Sequence, residues 1–263
     1  MTTTIALAGK GGVGKTTIAG LIMKFFIHSG IGPILAVDAD PSSNLNMVLG
    51  IVLDKTVGDI REDLLSQVKS SLLISGAAMG SLPGGTSKRD YLDYHIRASL
   101  IESNEFDLIA MGRSEGQGCY CAVNHNLRDI LDKISQNYQY VIIDNEAGME
   151  HLNRRTTRDV QHLIIISDSS QRGITAAERI SEYRKQMDIH IENTYLVLNR
   201  VNGEVPYEIN QKIKGMEIPY SGIVPGNSEL TVTENSGKSI LQISENNLAY
   251  KSVVAIMKSI LRT

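Results

Sequence analysis

Tryptophan is absent from the 263 residues, phenylalanine occurs three times and cysteine only twice. Two cysteines are too few for a disulfide scaffold and suit a reducing compartment. No run of about 18 consecutive apolar residues occurs, so no transmembrane helix is indicated. The apolar run Ile5 to Ala8 is too short for a secretory signal, and Lys10 and Lys15 follow where a cleavage site would lie. A cytoplasmic protein is therefore expected. Charge of one sign is also lacking. A net charge of −3 and an isoelectric point near 6.1 give no electrostatic case for nucleic acid or an anionic membrane as the main partner. No linker, internal repeat or low-complexity tract breaks the chain. With 42% hydrophobic and 21% charged residues its composition is ordinary for a globular protein. A single domain over 1–263 is the simplest organisation.

What is present is a series of short β-branched runs: Thr4 to Ala8, Ile34 to Asp38, Phe106 to Met111, Tyr140 to Asp144, His162 to Ser167, Thr194 to Asn199 and Ile218 to Val224. Continuous apolar runs of this length suit strands buried on both faces of a parallel sheet. Helical patterns lie between them at Thr16 to His28, Val123 to Gln136, Thr175 to Met187 and Leu248 to Leu261, with weaker ones at Ile60 to Lys69 and Tyr91 to Ile101. This alternation predicts an α/β fold, an open and mostly parallel sheet of about seven or eight strands flanked by helices.

The chemistry begins at the end of the first strand. Gly9-Lys10-Gly11-Gly12-Val13-Gly14-Lys15-Thr16-Thr17 leads directly into the first helix. Glycines let successive N–H groups turn inward, and these amides with the helix N-terminus form a positive concavity for phosphate. Lys15 adds charge at the β- and γ-phosphates, and Thr16 offers a hydroxyl to Mg²⁺. Gly11, Gly12, Val13, Gly14, Lys15, Thr16 and Thr17 are thus candidate nucleotide contacts. The second lysine makes the loop resemble the deviant Walker A motif of the MinD/ParA class of P-loop ATPases. The resemblance implies that Lys10 reaches the nucleotide of a facing subunit in an ATP-sandwiching homodimer.

Carboxylates end two more strands. Asp38-Ala39-Asp40-Pro41 closes the second, and Tyr140 to Asp144 reads as a Walker B-like strand followed by Asn145-Glu146-Ala147-Gly148. Carboxylates at strand ends can hold an Mg²⁺-bound water or orient the attacking water, so Asp38 and Asp144 are magnesium candidates. The resemblance implies that Asp40 positions the water and that Gly148 hinges a loop following the γ-phosphate. The alternative for the aspartates is the capping of a loop or helix. Asn199-Arg200 ends the sixth of these strands; the resemblance implies a base contact from the asparagine, with backbone near Pro225 closing the other side. Asparagine at a strand end also serves simply in turns.

Cys119 and Cys121 sit one residue apart after Gly116-Gln117-Gly118. A thiolate pair this close can chelate a soft or borderline metal. One chain offers two sulfurs where a closed tetrahedral site takes four, and a two-fold dimer would supply them. A redox dithiol and incidental surface cysteines are the alternatives. With Asp144 to Leu152, the Cys-x-Cys segment resembles the CooC-type maturation ATPases, which assist nickel insertion into carbon monoxide dehydrogenase, and the sister AcsF-type, which serves acetyl-CoA synthase. The resemblance implies ATP/ADP and Mg²⁺ as ligands, Ni²⁺ or Zn²⁺ held by Cys119 and Cys121 of two subunits, and a client nickel enzyme as partner. The mild acidity leads to the expectation of no nucleic acid and no membrane as partners. The rival expectation is a positioning or partitioning ATPase on membrane or DNA. Against it, the closing helix carries only Lys251, Lys258 and Arg262 as cations, and its apolar stripe is expected to pack on the core.

Overall fold

A computed structural model describes residues 2–75, 86–112, 121–147, 159–187 and 189–261. Its centre is an eight-stranded sheet in the order β3-β4-β2-β5-β1-β6-β7-β8. The strands are β1 (Thr3–Gly9), β2 (Ile34–Ala39), β3 (Ile101–Glu102), β4 (Asp107–Ala110), β5 (Tyr140–Asn145), β6 (Asp159–Ser167), β7 (His190–Val201) and β8 (Tyr220–Pro225). Every pairing is parallel except that of β3 with β4.

The apolar runs follow from burial on both faces. In β1, Ile5 and Leu7 point to one side and Ala6 and Ala8 to the other, and all four are buried. The first side is covered by α1 (Lys15–His28), α2 (Leu45–Leu49), α8 (Ser228–Asn235) and α9 (Leu248–Leu261). The second is covered by α3 (Val57–Ser75), α4 (Lys88–Ala98), α5 (Cys121–Ser135), α6 (Gln171–Tyr183) and α7 (Tyr207–Gly215).

The seven expected strands are present, with shifted ends. The β6 strand starts at Asp159 and β7 at His190, because residues ahead of the expected starts still pair across the ladder, Asp159 with His190 and Val160 with Ile191. Helix starts moved toward their caps. The Ser170 hydroxyl accepts from Gly173 N at 3.0 Å and begins α6 four residues ahead of the expected Thr175. Thr56 and Asp59 exchange bonds, Thr56 N to Asp59 Oδ2 at 2.8 Å and Asp59 N to Thr56 Oγ1 at 3.1 Å, opening α3 at Val57. This reciprocal arrangement satisfies two N–H groups that a helix start would otherwise leave open. Ser87 caps α4 in the same region, starting it at Lys88 instead of Tyr91.

The last helix, α9, lies against β8 and α1. Ala249, Tyr250, Val253, Ile256, Met257 and Ile260 form its buried stripe, as expected. Among the described residues no helix is long and apolar enough to cross a membrane. Met257 is fully buried and Leu248 is 66% exposed. Met257→Ala is therefore expected to lower the unfolding free energy by about 2–5 kcal/mol, and Leu248→Ala by no more than about 0.5 kcal/mol, both read by urea denaturation. Equal losses would contradict this packing.

Candidate nucleotide-binding site

The β1 strand lies between β5 and β6, where the strand order reverses: the chain runs from β1 to β2 on one side, and β6, β7 and β8 follow on the other. Ligands of open α/β sheets bind at the carboxyl ends of strands beside such a reversal. The loop Lys10 to Gly14 lies there and α1 opens directly from it. Gly9 passes so close to β6 that a Cβ would collide with the Ile166 carbonyl oxygen. Gly14, at φ 90°, ψ 33°, is the left-handed N-cap of α1, and no side chain caps that helix. Its first-turn N–H groups therefore point at the loop without a competing side-chain acceptor.

Lys10, Gly11 and Gly12 are exposed, whereas Lys15 is buried. The Lys15 ammonium folds back over the loop, 3.4 Å from the carbonyl oxygens of Gly9 and Lys10. Burial lowers its pKa, and the carboxylates of Asp144, Asp40 and Glu146 oppose that shift.

Asp38 and Asp144 are register partners on neighbouring strands, both essentially without exposure. Their surroundings differ. Asp38 Oδ1 accepts from Asp40 N at 3.1 Å and Oδ2 from Leu45 N at 2.9 Å, so Asp38 winds the 40–45 loop around itself. Burial still pushes its pKa up to about 6. In that loop Ser43 holds φ 47° and its hydroxyl is buried without a hydrogen-bond partner. Asp40 is half-buried, and its Oδ1 accepts from Ser42 N at 2.8 Å. Asp144 bonds the Thr16 hydroxyl, burial pushes its pKa up to about 7, and its Oδ1 is buried with no hydrogen-bond partner. A buried carboxylate oxygen with nothing to accept is costly unless a cation meets it. Thr16 and Asp144 therefore fit Mg²⁺, while both oxygens of Asp38 are already engaged by the loop's own N–H groups.

The β7 end approaches from the other side. Asn199 Nδ2 donates to Val13 O at 2.8 Å, and Arg200 Nη1 donates to Gly12 O at 3.0 Å. Pro225 ends β8 opposite Val201. The Thr17 hydroxyl donates to the Glu234 carboxylate of α8, and Asn145 Nδ2 donates to Leu7 O at 2.8 Å. Neither Glu234 nor Asn145 was singled out from the sequence. Glu234 lies on a short helix with no strong local pattern, and the one sequence signal for Asn145 is its place as the polar residue directly after Asp144. Cys119, Gly148, Glu150 and His151 lie outside the described residues. The backbone of Cys121 begins α5, and its side chain is likewise outside them. Among the described residues no group of three or more His, Cys, Asp or Glu is arranged to hold a metal ion.

A family described as "AAA domain" matches residues 2–198. The chain belongs to this family of P-loop proteins, and its fold is that of the MinD/ParA ATPases. An uncharacterised ATP-binding protein of Methanocaldococcus jannaschii is 40% identical over 257 residues, 98% of each chain. The carbon monoxide dehydrogenase accessory protein CooC of Rhodospirillum rubrum is 26% identical over 246 residues, 91% of this chain and 90% of that one. The cell division ATPase MinD of Pyrococcus furiosus superposes with a TM-score of 0.68 at 18% identity, over 100% of this chain and 99% of that one.

The Asp144 environment sets a pH dependence for this ATPase-family chain. Native Asp144 keeps its proton to about pH 7, against 3.8 for an ordinary aspartate. Between those values the native state binds more protons than the unfolded state, so the stability this group contributes is present below 3.8 and lost as pH rises through about 7. Without Mg²⁺, the wild type is expected to lose more stability from pH 5 to pH 8 than Asp144→Asn does, with Mg²⁺ narrowing the difference at pH 8. Identical pH slopes for the two proteins in denaturant titrations would refute this environment.

Proposed function

We propose that this chain hydrolyses ATP to ADP and phosphate and couples that cycle to nickel insertion as a metallochaperone. The observation that carries the ATPase half is the buried, uncommitted Asp144 Oδ1 beside Thr16 and Lys15, directly under a glycine loop that opens α1. The loop amides from Gly11 to Thr17 and the Lys15 ammonium take the phosphate oxygens. Thr16 and Asp144 would hold Mg²⁺, which when bound would draw charge from the phosphate oxygens. Asp40 orients water for attack on the γ-phosphorus, and the bond to the bridging oxygen of ADP breaks. Asp38 keeps the Asp40 loop wound. The exposed Lys10 reaches the nucleotide of a second copy, so hydrolysis follows dimerisation. Backbone near Pro225 borders the base. Residues 1–263 act as one ATPase domain in the cytoplasm.

The nickel half rests on the cysteine spacing. Cys119 and Cys121 from two copies supply four thiolates, and Ni²⁺ or Zn²⁺ is the cargo they bind. Closing the dimer around ATP brings these sulfurs together, and hydrolysis releases the cargo to carbon monoxide dehydrogenase or acetyl-CoA synthase. The likeness to CooC over nine-tenths of both chains supports this reading. The second reading, a positioning ATPase on membrane or DNA, is favoured by the MinD-like fold. Burial of the apolar stripe of α9 counts against that helix as a membrane anchor.

Ni²⁺ titration of the purified protein, with and without a non-hydrolysable ATP analogue, tests both halves. The expected result is one metal per dimer, tightest with the analogue. Lys15→Ala is expected to lose ATP binding and about a hundredfold or more in turnover. Lys10→Ala should bind ATP yet neither dimerise with it nor hydrolyse it. Cys119→Ser should bind ATP and lose stoichiometric metal. Normal turnover in Lys10→Ala removes the sandwich mechanism, and unchanged Ni²⁺ affinity in Cys119→Ser removes the cargo site. Liposome co-sedimentation with ATP would favour the positioning ATPase.

A further inference from the structure

Consecutive residues of a strand point to opposite faces. Asn199 and Arg200 nevertheless both reach the phosphate loop, through Val13 O and Gly12 O. The backbone explains how. The β7–β8 register shifts between Asn199 and Val201, and Arg200 stands at φ 57°, one of the two non-glycine residues with positive φ among those described. That conformation disfavours a residue with a Cβ, and such outliers persist where the surroundings hold them, often at working sites. Gly14 completes the fit, since a Cβ there would stand 2.5 Å from Asn199 Nδ2.

Both contacts fall on carbonyl oxygens of the loop. In a trans peptide the C=O and N–H of one unit point in opposite directions. The Gly12 carbonyl shares its unit with the Val13 N–H, and the Val13 carbonyl with the Gly14 N–H. Donors that hold those two carbonyls toward β7 turn the two N–H groups away from it, to the side where a nest of amides receives an anion.

We infer that Asn199 and Arg200 are positioning residues that clamp the phosphate loop in its anion-binding form, with the bulge at Arg200 aiming both side chains. This rests on the proposal that the loop binds nucleotide. It assigns Asn199 a task independent of the base.

The test is calorimetric titration of the full chain with Mg²⁺ and, separately, tripolyphosphate, ATP and GTP. Tripolyphosphate has phosphates and no base, so it isolates the loop. Asn199→Asp removes the donor, and Arg200→Gly removes the guanidinium. Each is expected to weaken tripolyphosphate and ATP by the same factor, about tenfold, equivalent to about 1.4 kcal/mol, with the ATP-to-GTP preference unchanged. Arg200→Lys, which keeps a charged donor, is expected to retain most of the affinity. Arg200→Gly should unfold at the wild-type temperature or higher, because glycine accepts φ 57° without strain. Should Asn199→Asp fail to fold, the Arg200 variants carry the test. A loss confined to ATP, with tripolyphosphate unaffected, would make these residues base contacts and overturn the clamp, as would unchanged affinity for both. Wild-type protein that binds neither ligand would overturn the nucleotide proposal itself.

Discussion

Lys15 and Asp144 are buried at the tips of adjoining elements, and the rest of the site is arranged around these two poorly hydrated groups. Desolvation works against charge on both: it lowers the lysine and raises the aspartate. The Asp144 carboxylate is the main influence holding the Lys15 pKa up, while the Thr16 hydroxyl, and after it Lys15, hold that of Asp144 down. Strand order makes the pair unavoidable. With β5 between β2 and β1, the loop after β1, the end of β5 and the end of β2 converge, and Asp38 lies level with Asp144. Charges this poorly hydrated are tolerated only where further partners arrive. A polyanion with a divalent cation suits a cluster of one ammonium, several carboxylates and a set of outward N–H groups.

Much of this arrangement is legible from residue order, and the physical reason is burial on both faces. A strand covered on two sides needs apolar residues at every position, so β1, β2, β5, β6 and β7 stand out as unbroken runs, and the polar residue ending each run marks the sheet's working edge. What stays hidden depends on distant partners. Asn199 reads as a strand-end residue, yet its amide meets a carbonyl 186 positions away. Thr17 and Glu234 are 217 positions apart. The short helices α2, α7 and α8 carry too few turns for periodicity to register. Asn227, for example, caps α8 through Leu230 N, a link as common in turns as at helix starts.

Membership of the family fixes the framework and leaves its use open, because function resides in what is added to a fold. A cell division ATPase shares this fold, and a carbon monoxide dehydrogenase accessory protein is similar in sequence. In the sequence the two cysteines follow β4, and the acidic, histidine-bearing segment follows β5.

The sheet margins carry a consequence of their own. At one margin β3 offers only Ile101 and Glu102, running against β4. At the other, β8 is bracketed by Pro219 and Pro225 and backed by α9. Strands so short, acidic or proline-flanked make poor templates for backbone annealing between molecules. Copies of this chain are thereby steered away from lateral ladder growth, which ends in fibres.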